Sequence, residues 1–310
     1  MSYWMITNRV READGLGGDL ARDLTYWRAV EGARVDVLGN WRELSADEFK
    51  RDLIAATAEF PDVAGDGSHE DQRHVTLVVH GYNFDWKEAV RWYAGIADTM
   101  FQPEVGLGIP ILFAWPSKGS TVQYLADRSE AEASAAGLAN VLSELYDWLL
   151  TMQARAVVDP AAGCRAKTSV IAHSMGGYLL QKAAATVWSR KNRPLLVSLL
   201  NQVLMVAADV DNDLFGSGER VEQRDGEGLA NLSYRITALY SGLDQILAVS
   251  AGLKHFGRRR LGRSGLAKDV PAPDNVWDMD CTSFFRADRV GGFNAHLAYF
   301  DEPDVRDVMC

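Results

Sequence analysis

Val170-Ile-Ala-His-Ser-Met-Gly-Gly177 is an apolar run that stops at one serine and resumes at once in residues suited to a helix. A buried strand that turns this sharply into a helix needs small residues two before and two after the serine, and Ala172 and Gly176 meet that need. The common pattern has glycine at the first of these, so Ala172 is a departure that still fits. Such a turn lifts a serine Oγ above the end of a sheet and sets it at a helix N-terminus, where negative charge is favoured. A serine that merely caps a buried helix would leave the same short motif. The surrounding sequence decides between the two.

Outward from this stretch, short apolar runs alternate with longer amphipathic ones, which predicts an α/β protein with a mostly parallel central sheet and helices on both faces. Strands are expected at 3–7, 75–80, 109–115, 168–173, 203–208, 235–240 and 276–279. Ser45-Ala-Asp-Glu48 has the form of a capping box and predicts a helix to about Phe60. Ser129-Glu-Ala-Glu132 has the same form, ahead of Leu138, Val141, Leu142, Leu145 and Leu149 at helical spacing. Helices are also expected at 85–100 and 175–190. The polar stretches 61–73 and 216–228 read as solvated loops. No repeat and no composition shift appears, so one domain, 1–310, with loop insertions is expected.

The 310 residues carry 32 Lys+Arg against 42 Asp+Glu, a net charge of −10. An acidic chain argues against nucleic acid and against an anionic membrane surface as partners. At this length roughly three quarters of the unfolded surface is buried on folding, so no staple is required. Cys164, Cys281 and Cys310 form no CxxC pair and no zinc-like cluster. The N-terminus lacks the basic start and apolar core of a signal peptide, and no run reaches about 18 apolar residues. A soluble, cytoplasmic protein with reduced thiols is expected, and its oligomeric state is not legible.

A serine nucleophile needs a base, and there are six histidines: His69, His74, His80, His173, His255 and His296. His69 and His74 fall in a polar connection, His80 belongs to a strand-end turn, and His255 lies in a basic loop. The side chain of His173, next to the serine, should point away from it. His296, past the last strand, fits the order serine, acid, histidine. The acid should end a strand between the two, which leaves Asp244 and, as the alternative, Asp209. His80-Gly81-Tyr82-Asn83 ends an earlier strand in a turn suited to a backbone donor for an oxyanion. Tyr82 N–H and Met175 N–H are the candidate donors.

With these pieces placed, the chain resembles a bacterial branch of the α/β-hydrolases grouped as a family of unknown function. The matching residues are Thr7-Asn8-Arg9, His80–Asn83, Phe113-Ala114-Trp115-Pro116-Ser117, His173–Gly176, Ala208-Asp209-Val210-Asp211, Tyr240–Asp244 and His296-Leu297-Ala298-Tyr299. Ala114 stands where serine is expected, and Leu297-Ala298 where a more polar pair is expected. The resemblance implies an α/β-hydrolase fold and a serine triad, and it puts the acidic motif on Tyr240–Asp244. It implies no substrate.

Asp244 is preferred also because Asp209 sits in a run with Asp211 and Asp213, whose charges compete. Asp209 is then expected to cap a helix near Asp213 or to brace the loop beneath His296. That acidic run is not a calcium loop, since Leu214 and Arg220 stand where glycine and glutamate belong. No metal and no cofactor are expected. The basic run 254–263 reads as a solvated face, with glycines that make 251–272 a candidate flap or lid. The expected function is a serine esterase acting on a small-molecule ester. The alternative is a non-catalytic scaffold of the same fold that binds a ligand or partner.

Overall fold

The computed structural model describes residues 2–61, 72–102, 106–117, 124–158, 166–191, 198–255, 257–285 and 294–310. Most of the polar connection at 61–73 therefore lies outside the described residues. The chain divides into two compact units, Met1–Ser169 and Val170–Cys310.

The first unit begins with β1 (Tyr3–Glu12), β2 (Gly15–Ala29) and β3 (Trp41–Leu44), followed by α1 (Ala46–Thr57). It continues through β4 (Arg73–Val79), α2 (Trp86–Met100), β5 (Gly108–Ala114) and α3 (Tyr124–Val158). Its strands lie in the order β3-β2-β1-β5-β4. β1 pairs antiparallel with β2 and parallel with β5, and β5 pairs parallel with β4. The apolar runs at the start of β1 and through β4 and β5 are buried on both sides of the pleat, as their continuous patterning requires.

Ser45 caps α1 in the expected box, with Glu48 N–H donating to Ser45 Oγ and Ser45 N–H to Glu48 Oε2. The second expected box is not one. α3 starts at Tyr124, so Ser129 lies inside it. β2 and β3 were not foreseen, because β2 mixes buried, half-buried and exposed positions and lacks an apolar period. His74 is also not in a connection; it belongs to β4, and its Nδ1 meets Ser169 Oγ at 2.5 Å.

The second unit takes in the end of β6 (Ala166–His173), then α4 (Met175–Lys191), β7 (Leu200–Val206), α5 (Val221–Leu232) and β8 (Ser233–Tyr240). It closes with α6 (Gln245–Val249), α7 (Leu261–Ser264), β9 (Val276–Asp280) and α8 (Pro303–Met309). β7, β8 and β9 run parallel in that order. The stretch 216–228, expected as a solvated loop, contains the first two turns of α5. A Cβ on Gly228 would lie 3.3 Å from Ala185 Cα and Trp188 Cβ, so this glycine lets α5 approach α4 closely. Asp225, also buried, accepts from Lys182 Nζ at 2.7 Å and Gln181 Nε2 at 3.2 Å.

The basic run is the larger correction. Arg260 is among the most deeply buried side chains, at 1% exposure, not part of a solvated face. Its Nε donates to Asp209 Oδ1 at 2.7 Å, its Nη1 to Asp211 Oδ1 at 2.5 Å, and its Nη2 to the Asp209 carbonyl. Ser250 Oγ adds a bond to Asp209 Oδ1 at 3.0 Å. Among the described residues no helix starts near Asp213 for Asp209 to cap; its carboxylate is held by Arg260 and Ser250. Gly262 follows, with N–H to Ala208 O at 2.9 Å, and any Cβ there would meet Ala207 C at 2.1 Å. The stretch 251–272, expected as a flap, is fastened at its middle by these contacts.

Removing one partner of a buried pair leaves an uncompensated charge. Asp209→Ala or Arg260→Met alone is expected to cost about 3–5 kcal/mol in urea denaturation. The double variant should recover part of that loss. Single-variant losses below about 1 kcal/mol, the worth of a surface pair, would contradict the assignment.

Candidate active site

Ser174 joins β6 to α4 with φ of 54°, a left-handed backbone that a residue with a Cβ adopts at a cost of about 1–3 kcal/mol. Three main-chain bonds hold it there. Its N–H donates to Val206 O at 2.9 Å, and its carbonyl accepts from Gly177 N–H and Asp209 N–H, both at 3.0 Å. Ala172 is fully buried two residues before, where bulk would not fit. Met175 opens α4, so its N–H lies in the first turn, where helix N–H groups lack intrahelical partners.

Asp244 follows β8 and is fully buried. Its Oδ1 caps α6 by accepting from Leu247 N–H at 2.9 Å, and its Oδ2 meets His296 Nδ1 at 2.7 Å. His296 ends a single 3-10 turn, Asn294–His296, and is 5% exposed. A carboxylate on Nδ1 fixes the ring's orientation and leaves Nε2 as the nitrogen with a free lone pair. The carboxylate that meets His296 is Asp244; Asp209 is committed to Arg260. No hydrogen bond joins Ser174 Oγ to His296; catalytic contacts of this kind often tighten only in the Michaelis complex.

Two neighbours complete this part. Tyr299 is buried beside Asp244, and burial, with that negative charge second, pushes its phenol well above the usual value. His173 points to residue 296: its Nε2 lies 2.9 Å from the His296 carbonyl, and the two rings are 4.8 Å apart. The sequence reading set His173 aside, and nothing local marks its partner, which lies 123 residues on.

The remaining sequence-expected donor, Tyr82, belongs to the first unit, in the turn after β4. Asn83 there has φ of 64°, and its N–H donates to the buried carboxylate of Asp127 at 3.4 Å. Asn83 is not the cap of α2; Asp85 is, in a box with Glu88. Arg9, 2% exposed, donates to Phe84 O at 2.9 Å, Gly17 O at 3.0 Å and Ser117 O at 3.4 Å. Ser117 Oγ donates to Asp127 at 2.7 Å and accepts from Phe84 N–H at 3.3 Å. Burial pulls Arg9 down to about 10, opposed by Asp85 and Asp127. Arg9 and Ser117 thus brace the turn, a role that sequence reasoning missed although both stand in the quoted motifs. A mainly apolar groove of about 640 Å³ also opens in this unit between α1 and α3, lined by Ile6, Phe49, Leu77, Ile111 and Leu145 among others. None of the candidate residues lines it.

A family model described as alpha/beta hydrolase of unknown function (DUF900) matches residues 56–271. The chain belongs to that family. The family match and the mostly parallel sheet agree on an α/β-hydrolase fold. An uncharacterized protein of Nostoc sp., alr1448, is 30% identical to this hydrolase-fold chain over 132 residues. That stretch makes up 36% of this chain and 31% of the Nostoc protein, so the match spans under a third of that relative's length. Among solved structures, the lin2722 product of Listeria innocua aligns with 77% of this chain and 92% of its own, at 13% identity and a TM-score of 0.39. A lipase-esterase related protein of Clostridium acetobutylicum covers 76% and 91%, at 10% identity and 0.35. Among the described residues, no helix is long and apolar enough to cross a membrane.

His80, fully buried under the turn, gives a pH prediction. Burial, with Arg9 second, pushes its imidazole down to about 3, against about 6.5 in an unfolded chain. The folded state then binds fewer protons than the unfolded one between these values. Its contribution is complete above about pH 6.5 and is lost as pH falls toward 3. His74, pushed down to about 4 by burial and then Lys167, acts in the same sense. Melts from pH 7 to pH 5 should show the wild-type Tm falling more steeply than that of His80→Gln. Parallel slopes would contradict a neutral, buried His80.

Proposed function

We propose that this protein is a serine hydrolase of carboxylic esters, working through an acyl-enzyme on Ser174. The observation that carries the reading is the 2.7 Å contact between Asp244 and His296 Nδ1, in the same unit as a left-handed serine that opens a helix. In this reading His296 Nε2 takes the proton of Ser174 Oγ as the oxygen attacks the ester carbonyl. Asp244 stabilises the imidazolium and accepts no proton itself. Met175 N–H carries the oxyanion, with a second backbone donor required beside it. The imidazolium then protonates the departing alkoxide, and water repeats the sequence to release the acid.

Esters are chosen over amides because nothing in the sequence points to an extended peptide groove. The substrate is a small molecule, without metal or cofactor, and the setting is cytoplasmic, in keeping with acidic charge and scattered cysteines.

The test is turnover of a short-chain aryl ester by point variants. Ser174→Ala and His296→Ala are each expected to lower kcat by about 10⁶, and Asp244→Asn by about 10⁴ through the wrong imidazole tautomer. His255→Ala should turn over normally, and Ser174→Ala should keep the wild-type Tm. Retained activity in Ser174→Ala above about a thousandth of wild type would sink the assignment. Folded wild-type protein that neither turns over aryl esters nor reacts with a fluorophosphonate would favour a binding scaffold.

A further inference from the structure

We infer that His173 is a positioning residue that sets the main chain of His296, and so the spacing of the base from Ser174. The inference rests on the hydrolase reading above and adds a residue that it does not use. His173 ends β6, is 1% exposed, and has its Nε2 at 2.9 Å from the His296 carbonyl oxygen. A carbonyl only accepts, so Nε2 carries the proton and the geometry selects that tautomer. The ring lies 4.8 Å from the His296 ring at 56°, and Phe300 closes another side edge-on at 5.8 Å.

His296 is thus gripped twice, by Asp244 on its ring and by His173 on its main chain. The second grip matters because His296 ends a 3-10 turn, whose hydrogen-bond geometry is poorer than that of an α-helix. The donor also has a particular address. His173 is peptide-bonded to Ser174, so the group that fixes the base moves with the nucleophile. The distance between them then depends on this side chain as well as on the path through β8 and Asp244. A buried histidine that only satisfies itself against a carbonyl would affect stability alone. A positioning histidine affects the rate of each folded molecule, because a misplacement of about 1 Å costs about 10²-fold.

The experiment compares His173→Gln and His173→Asn in the full chain. A glutamine amide nitrogen reaches about as far as Nε2, whereas an asparagine nitrogen stops one bond short. Active sites are counted by fluorophosphonate, so unfolded molecules do not enter, and kcat, KM and the phosphonylation rate of Ser174 are measured. Asn should lower kcat and the phosphonylation rate by about 10²-fold with KM unchanged, and Gln should restore most of both. Asn with wild-type kcat per site, whatever its Tm, overturns the inference, as do two equally slow variants. If neither variant folds, nitrogen NMR on 15N-histidine wild-type protein decides. A slowly exchanging proton on His173 Nε2 is expected, and an Nδ1–H tautomer overturns the contact. Wild-type protein that is not phosphonylated at Ser174 overturns the hydrolase reading itself, a failure distinct from a normal Ser174 paired with an indifferent His173.

Discussion

The backbone of Ser174 is the constraint on which the second unit depends. A left-handed serine is strained, and it persists only where its surroundings over-determine it. Here its carbonyl takes the N–H of Asp209, and from that point hydrogen bonds lead round the unit. Ala208 O accepts from Gly262 N–H, Gly262 O from Ser241 N–H, and Ser241 O from Asp244 N–H. Asp244 Oδ2 then meets His296 Nδ1, and His296 O accepts from His173, the residue before the serine. The circuit closes where it began. It ties the ends of β6, β7 and β8 to one another, with Arg260 locked against Asp209 inside it.

Asp209 and Asp244, two of the buried carboxylates in this unit, are kept to different tasks by their partners. Asp209 is neutralised by a guanidinium in fixed geometry, with Ser250 on the same oxygen. Among the described residues no arginine meets the Asp244 carboxylate; its oxygens take the N–H of Leu247 and the imidazole of His296. A charge held by a neutral donor and an imidazole remains available to an imidazolium. A charge spent on arginine does not. Arg263 reaches Asp244 only at its carbonyl oxygen.

Much of this was legible in the sequence, because the signals are local. The turn at His173–Gly176, the capping box at Ser45 and the apolar runs of β4, β5, β7 and β8 each declare themselves within a few residues. β2 did not, since a strand whose buried and half-buried positions follow no alternation carries no apolar period to read. α5 hid behind glycines that serve its packing on α4, and sequence cannot separate a packing glycine from a turn glycine. The burial of Arg260 and the partner of His173 escaped the sequence for one reason. Their partners lie 51 and 123 residues away, and burial of a polar side chain is decided by such partners and not by its own neighbours in the chain. Asp244 meets His296 Nδ1, while the run of carboxylates at 209–213 carries no local sign that Arg260 holds Asp209.

The most direct test of the central claim is to look for the acyl group itself. Protein quenched in acid during turnover of an activated aryl acetate would be weighed intact and then mapped by peptide. The account predicts one added acetyl group per chain, on the peptide that holds Ser174, at a level that rises when deacylation is slowed. Steady turnover with no acylated species on Ser174, or with the acetyl group on another residue, would contradict it.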